Sequence, residues 1–349
     1  CWYVKWSWRF IMSEFKVTSI TNRDGSHGPQ ICGIVTFTGS GLTLPNGGLS
    51  GGRGRMVTYG GSDSSSYNNS MNVIQIATLG SAIDFGDASK VNGFSSGMAS
   101  STRGVFKQGR GAPSYTDTLE FITFSSLGGV TEFGKDLGAS QDSSASSANG
   151  IRGIFGNGTQ YDAKIQSITL ATTGDTSEFG TLSQGLYMGG GSGGGSPTRG
   201  FFFGGREQPP STTVVKDIET VTFASGGAAS KFGDLTVGRR AIAAVTNSTR
   251  AVACSGDLAD GQINVMDYIT LATEGNALDF GDITRQPHGY GAGGSSRTRG
   301  LITGCDSSPT DSIDFITFST TGNATDFGDT TYASYLNGAC SDLHGGLAE

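Results

Sequence analysis

Histidine is scarce in this chain: of 349 residues only His27, His288 and His344 carry an imidazole, and they stand in unlike contexts. A histidine-built metal centre or acid–base cluster is therefore not expected. The five cysteines, Cys1, Cys32, Cys254, Cys305 and Cys340, show no metal-ligand spacing. They read as small apolar fillers of a reducing compartment, with a disulfide left open. Charged residues make up only 15%, and a net charge of −7 disfavours nucleic acid as a partner by bulk electrostatics. Sugars, proteins and cations remain as ligand classes. No window holds a sustained helical stripe, and no Ser-His-Asp arrangement, phosphate loop or Asp box can be quoted. The expectation is a protein that is not an enzyme and carries no cofactor.

Tryptophan is confined to residues 1–11, as Trp2, Trp6 and Trp8, with Lys5 and Arg9 between them. This run is too short to span a membrane, and it lacks the apolar core and cleavage site of a signal peptide. Met12-Ser13-Glu14 reads as a natural start, so residues 1–11 are either an upstream extension or an alternating edge strand.

Glycine, by contrast, accounts for 58 residues, and much of it is periodic. The stretch from Asp267 to Gly281 recurs in six versions, anchored at Ile74, Ile122, Ile168, Val221, Ile269 and Ile316. Two residues on stands another large apolar residue (Ile76, Phe124, Leu170, Phe223, Leu271, Phe318), the alternation of a strand with one buried face. Six residues after each anchor comes a glycine (Gly80, Gly128, Gly174, Gly227, Gly275, Gly322), which predicts a turn with positive φ. Eleven residues after each anchor comes Phe-Gly, at Phe85, Phe133, Phe179, Phe232, Phe280 and Phe327. Because the spacing never changes, strand, turn and strand are expected to form one rigid hairpin.

Upstream of each hairpin an arginine (Arg55, Arg103, Arg152, Arg199, Arg250, Arg299) opens a short apolar run. The link from Arg to anchor varies from 16 to 22 residues and reads as a loop. The gap from each Phe to the next Arg leaves room for one more strand, and its residues are small: Phe94 to Ser100, Asp142 to Asn149, Leu186 to Ser196, Ala241 to Val245, Gly289 to Ser295 and Ser334 to Ser341. Four short strands in each period of about 48 residues predict a propeller or a solenoid. The small-residue strand suits the crowded axis of a propeller. The expected fold is an all-β, six-bladed β-propeller over 55–349, with the first blade completed by the C-terminal strand 334–341, which removes exposed edges. A competing assignment gives that first inner strand to Leu42-Thr43-Leu44.

The six arginines have two readings. As a ring on the axis they would bind an anion or acidic sugar. As structural groups each would bond a carbonyl or carboxylate of a neighbouring blade, such as the Asp of Phe-Gly-Asp (Asp87, Asp234, Asp282, Asp329). The second is simpler, since every blade carries one.

These residues resemble kelch-type repeats. Gly60-Gly61 and Gly204-Gly205 keep that family's double glycine and Tyr268 keeps its third-strand aromatic, while the Phe of Phe-Gly stands where the family has a Trp. The resemblance covers roughly residues 55 to 341 and implies the same propeller.

Residues 13–54 differ from the repeats, with strand candidates at Phe15 to Asn22 and Ile31 to Phe37. Too short to bury a core alone, this arm is expected to serve attachment or homo-oligomerisation. In the propeller, the loops between second and third strands and those between blades share one face. Their lengths vary: Ser62 to Asn72, Gly111 to Thr118, Arg206 to Lys216, Asp257 to Met266 and Asp306 to Ser312. Recognition usually resides in such loops. The candidates there are Tyr67, Tyr115 and Tyr161, which could stack on sugars or pack at a partner interface, and Asp257 and Asp260, which could touch calcium or simply make a polar loop.

The arm's Ser13 to Asn22 and Gly28-Pro29-Gln30-Ile31, with the Ile-Thr-x-Ala-Thr and Asp-Phe-Gly-Asp repeats, resemble virion structural proteins of marine tailed phages, especially those of cyanobacteria. The resemblance implies a tail-fibre or appendage-like virion component. Its partners would be other virion proteins and a host surface glycan or protein, with no nucleic acid and no membrane insertion. The rival readings are a secreted or surface carbohydrate-binding propeller and, further off, a propeller enzyme.

Overall fold

Short apolar-alternating runs separated by glycines satisfy most of their backbone groups by pairing with sequence neighbours, and most of the regular structure follows from that. The computed structural model describes residues 54–111, 116–137, 143–156, 158, 160–187, 195–284, 289–304 and 309–342. The expected arm, the extension 1–11, Tyr115, the three histidines, Cys1, Cys32 and Cys305 lie outside the described residues. Among the described residues there is no helix.

The strands form a six-bladed β-propeller. Blade 1 orders Gly338–Ser341, Arg55–Ser62, Tyr67–Gln75 and Ile83–Asn92 from inside out. Blade 2 has Ser96–Ala99, Arg103–Lys107, Thr118–Thr123 and Thr131–Lys135, and blade 3 has Ala145–Ala148, Arg152–Gly156, Lys164–Thr169 and Ser177–Thr181. In blade 4 the described strands are Arg199–Phe203, Asp217–Thr222 and Ser230–Asp234, with Gly195 bridged to Gly200 on the inner side. Blade 5 has Ala243–Thr246, Arg250–Cys254, Val265–Thr270 and Leu278–Asp282, and blade 6 has Ala292–Ser295, Arg299–Thr303, Thr310–Thr317 and Thr325–Ser334.

The C-terminal strand closes the ring, pairing Tyr59 with Gly338 and Met56 with Ser341. It also supplies a repeated cap. In blades 2 to 6 the residue three before the arginine (Ser100, Asn149, Ser196, Asn247, Ser296) accepts a side-chain hydrogen bond from the arginine's backbone N–H at 2.8 to 3.1 Å. In blade 1 that acceptor is Asp342, from the far end of the chain, 2.9 Å from the Arg55 N–H.

The core is divided among the blade interfaces. Six buried clusters each join two adjacent blades; one holds Phe201, Phe203 and Phe232 of blade 4 with Ile269 and Leu271 of blade 5. The Phe of each Phe-Gly packs in one of them, and Cys254 and Cys340 are buried free thiols. Every residue of the five described inner strands is buried. At alternate positions a side chain would not fit: a Cβ on Gly97 would strike the Ala339 carbonyl, and one on Gly293 the Ala244 carbonyl. Inner strands touch through their backbones, which is the physical reason for the Gly/Ser/Ala composition.

The hairpin differs from expectation in one detail. The third strand ends one residue after each anchor, so Ile76, Phe124, Leu170, Phe223, Leu271 and Phe318 lie in the turn, buried. Their carbonyls receive the arginines. Arg55 Nη1 donates to the Phe124 carbonyl, and Arg103, Arg152, Arg250 and Arg299 donate to those of Leu170, Phe223, Phe318 and Ile76 at 2.6 to 3.2 Å. Arg199 instead faces Glu274 at 3.6 Å. Each partner belongs to the next blade. The carbonyl of a neighbouring blade is thus the acceptor for five of the six, as one alternative of the sequence had it, and the Asp of Phe-Gly-Asp is not.

Candidate functional site

The six arginines are thus engaged at blade interfaces, and five of them also lie over an aromatic ring of their own blade, at 4.3 to 6.0 Å. The surface left for recognition is the loop face, and its centre has a regular construction. Two residues before the inner strand stand Phe94, Ser143, Ala241, Tyr290 and Leu336, all with φ between 55° and 75°. For residues other than glycine that conformation costs roughly 1 kcal/mol or more each. It turns the backbone so that Phe94 N–H donates to the Leu336 carbonyl (2.7 Å), Ser143 N–H to that of Phe94 (3.0 Å) and Tyr290 N–H to that of Ala241 (2.7 Å). A collar of inter-blade hydrogen bonds results. In blade 4 this register falls on Gly190, outside the described residues.

The collar rims a cup of about 370 Å³, counting its open mouth, at one end of the axis. Phe94, Ile242, Tyr290 and Leu336 make its apolar wall, and Ser95, Ser143, Ser144 and Asn337 its polar one. Phe94 and Tyr290 meet edge to face with centroids 5.5 Å apart.

Beside Tyr290 stands a second group of side chains. Tyr161 and Tyr187 stack at 5.6 Å, and the guanidiniums of Arg206 and Arg240 lie 4.6 and 5.5 Å from the centre of the Tyr187 ring. Arg206 Nη2 donates to Tyr161 Oη at 3.1 Å, and Arg240 Nη2 is 3.8 Å from Asp257 Oδ2. Paired backbone bonds hold these residues in place: Tyr187 with Arg206 at 2.9 and 3.0 Å, and Arg240 with Asp257 at 3.0 and 2.9 Å. The Nε of each arginine is buried with no hydrogen-bond partner. Burial, with the Asp257 carboxylate second, pushes the Tyr290 phenol up to about 12.

No family model and no curated protein matches this sequence. The site is therefore read from its own geometry.

The structure brings together two of the predicted site residues, Tyr161 and Asp257, and keeps Tyr67 and Asp260 apart from them, while Tyr115 lies outside the described residues. Tyr67 is not in a loop: it opens the third strand of blade 1, where its ring lies against Gly93, and the loop before it is only 63–66. Asp257 is buried and accepts from Gly289 N–H at 3.0 Å, whereas Asp260 is exposed in the turn closed by Leu258 and Gly261. The two aspartates do not converge. Among the described residues no group of three or more His, Cys, Asp or Glu could hold a metal ion. Phe94, Tyr187, Arg206, Arg240 and Tyr290 were not singled out by the sequence reading. One signal was present: Phe94, Tyr290 and Leu336 are large residues at one register of otherwise small-residue segments.

Proposed function

We propose that this chain is a non-enzymatic recognition protein of a tailed-phage particle, a tail-fibre or appendage component that presents its loop face to a host surface glycan or protein or to another virion protein. The observation that carries the recognition role is the cup with its aromatic and arginine rim, held by backbone bonds on the face where loop lengths vary. Rigid aromatic and guanidinium groups contribute much binding energy with little ordering cost. The phage setting is supported by the resemblance of the arm and repeats to virion proteins, and in it residues 13–54 attach the propeller to the particle and join copies of the chain. Mass spectrometry of purified phage particles, with binding of labelled chain to host cells, tests both halves. The chain is expected in the particle and on the cells. Absence from particles, with glycan binding retained, would move the reading to a free carbohydrate-binding propeller.

A further inference from the structure

The geometry points to an acidic-saccharide site at the blade 3 to blade 6 edge of the cup, where Arg206 and Arg240, both held on the Tyr187 ring, take a sugar carboxylate and Tyr290 takes the sugar ring. This deepens the recognition reading of the loop face and rests on it.

Three observations select that chemistry. The first is charge: the cluster holds two guanidiniums against one buried carboxylate, Asp257, which accepts from the Gly289 N–H through Oδ1 and pairs with Arg240 through Oδ2. Among the described residues Arg206 contacts no carboxylate, so this spot carries a positive surplus on a chain of net charge −7. Arginine stays protonated at any working pH and offers a planar fork that matches a carboxylate. The second is the company of the charge. Both guanidiniums lie within 6 Å of one tyrosine ring, and that ring is stacked on another. The partly exposed Tyr290 ring that lines the cup beside them suits a sugar, which presents C–H on one side and O–H around its edge, better than a bare phosphate, which has no apolar face. The third is rigidity. Arg206 and Arg240 each sit in a reciprocal pair of backbone hydrogen bonds, and Tyr290 in the collar, so little freedom is lost when a ligand arrives. The cup alongside adds a serine and asparagine wall.

The test measures binding of an oligogalacturonate and of its methyl ester to the full chain by calorimetry. The ester keeps the sugar shape and removes the charge. The acid should bind with an affinity lowered roughly tenfold to a hundredfold by Arg206→Gln or Arg240→Gln, and the ester should bind no better than those variants bind the acid. Thermal melting of each variant separates a lost contact from a lost fold, and Arg206→Lys, which keeps charge but not the fork, should recover only part of the affinity. Equal binding of acid and ester, or variants that melt normally and bind as before, would overturn the site. If neither saccharide binds while the chain still binds host cells, this inference fails and the recognition role stands. Failure on cells as well removes both.

Discussion

At the scale of single residues, two glycines in each hairpin do different work. The turn glycine, such as Gly275, has φ +154° and open space where a side chain would go, while the Phe-Gly glycine Gly281, with φ +138°, faces the turn backbone of Gly322 in the next blade. Gly275→Ala should cost about 1 kcal/mol for backbone strain alone, and Gly281→Ala about 3 kcal/mol because the added methyl also displaces a neighbouring blade. Urea unfolding of the two variants checks the order; equal costs would mean the inter-blade fit is loose. A second prediction concerns Asp63, whose carboxyl accepts from Tyr332 Oη at 2.6 Å and from the Ser65 and Ser66 N–H groups. The Tyr332 bond first, then the backbone bonds, hold it at about 2, below the ordinary 3.8. A depressed folded value stabilises above the unfolded one, so the contribution is whole at neutral pH and fades as pH falls from about 4 through 2. Tyr332→Phe should move the Asp63 midpoint, followed by NMR titration, up toward 3.8.

At the scale of the blade, cohesion comes from polar links as well as apolar clusters. The residue two before the hairpin anchor accepts bonds from the preceding blade: Asn72 from Thr331, Glu120 from Ser89, Glu219 from Ser183, Asp267 from Thr236 and Asp314 from Thr284. Asp267 differs in also meeting the fully buried Arg239 at 2.7 Å. Its removal leaves a guanidinium without its counter-charge in the core. Asp267→Ala should therefore cost about 3–5 kcal/mol, against about 1–2 kcal/mol for Thr284→Val, which forfeits one hydroxyl donor. Chemical denaturation of both variants measures the difference. Backbone bonds repeat the same connection: Gly80, Gly128, Gly174, Gly275 and Gly322 N–H each donate to the Phe carbonyl of the preceding Phe-Gly, at 2.6 to 3.1 Å. In blade 4 the same contact extends into a short parallel pairing of Gly227–Ala228 on Ser177–Thr181. The hairpin is thus a unit of assembly between blades.

For the whole molecule, closure is the decisive event. The strand Gly338–Ser341 pairs with Met56–Tyr59, and Asp342 caps Arg55 across the length of the chain. A chain ending at Asn337 loses all of this at once and exposes the edge of Arg55–Ser62. It should lower the melting temperature by roughly 10 °C or more and bring self-association through the open edge. Melting and size-exclusion chromatography with light scattering would show this. A truncated chain that stays monomeric and melts normally would place closure elsewhere.

The six-blade count, the strand order and the composition of the inner strands were legible in the sequence because they are local and periodic. A glycine six residues after Ile269 and a Phe-Gly eleven after it report on one hairpin, and repetition six times makes the register unmistakable. That the arginines would reach carbonyls of a neighbouring blade was legible as one of two readings, but not which carbonyls, since any residue supplies one. Nor was the candidate site. Tyr161, Tyr187, Arg206, Arg240, Asp257 and Tyr290 come from different blades, and although Arg206 and Asp257 both stand seven residues after their blade's arginine, no residue type repeats there to mark a site. They meet because all six blades converge toward one axis: residues a blade apart in sequence, which would stand far apart at the rim, lie side by side at the mouth of the cup. Periodicity specified the ring, and only the closed ring decided which side chains face one another at its centre.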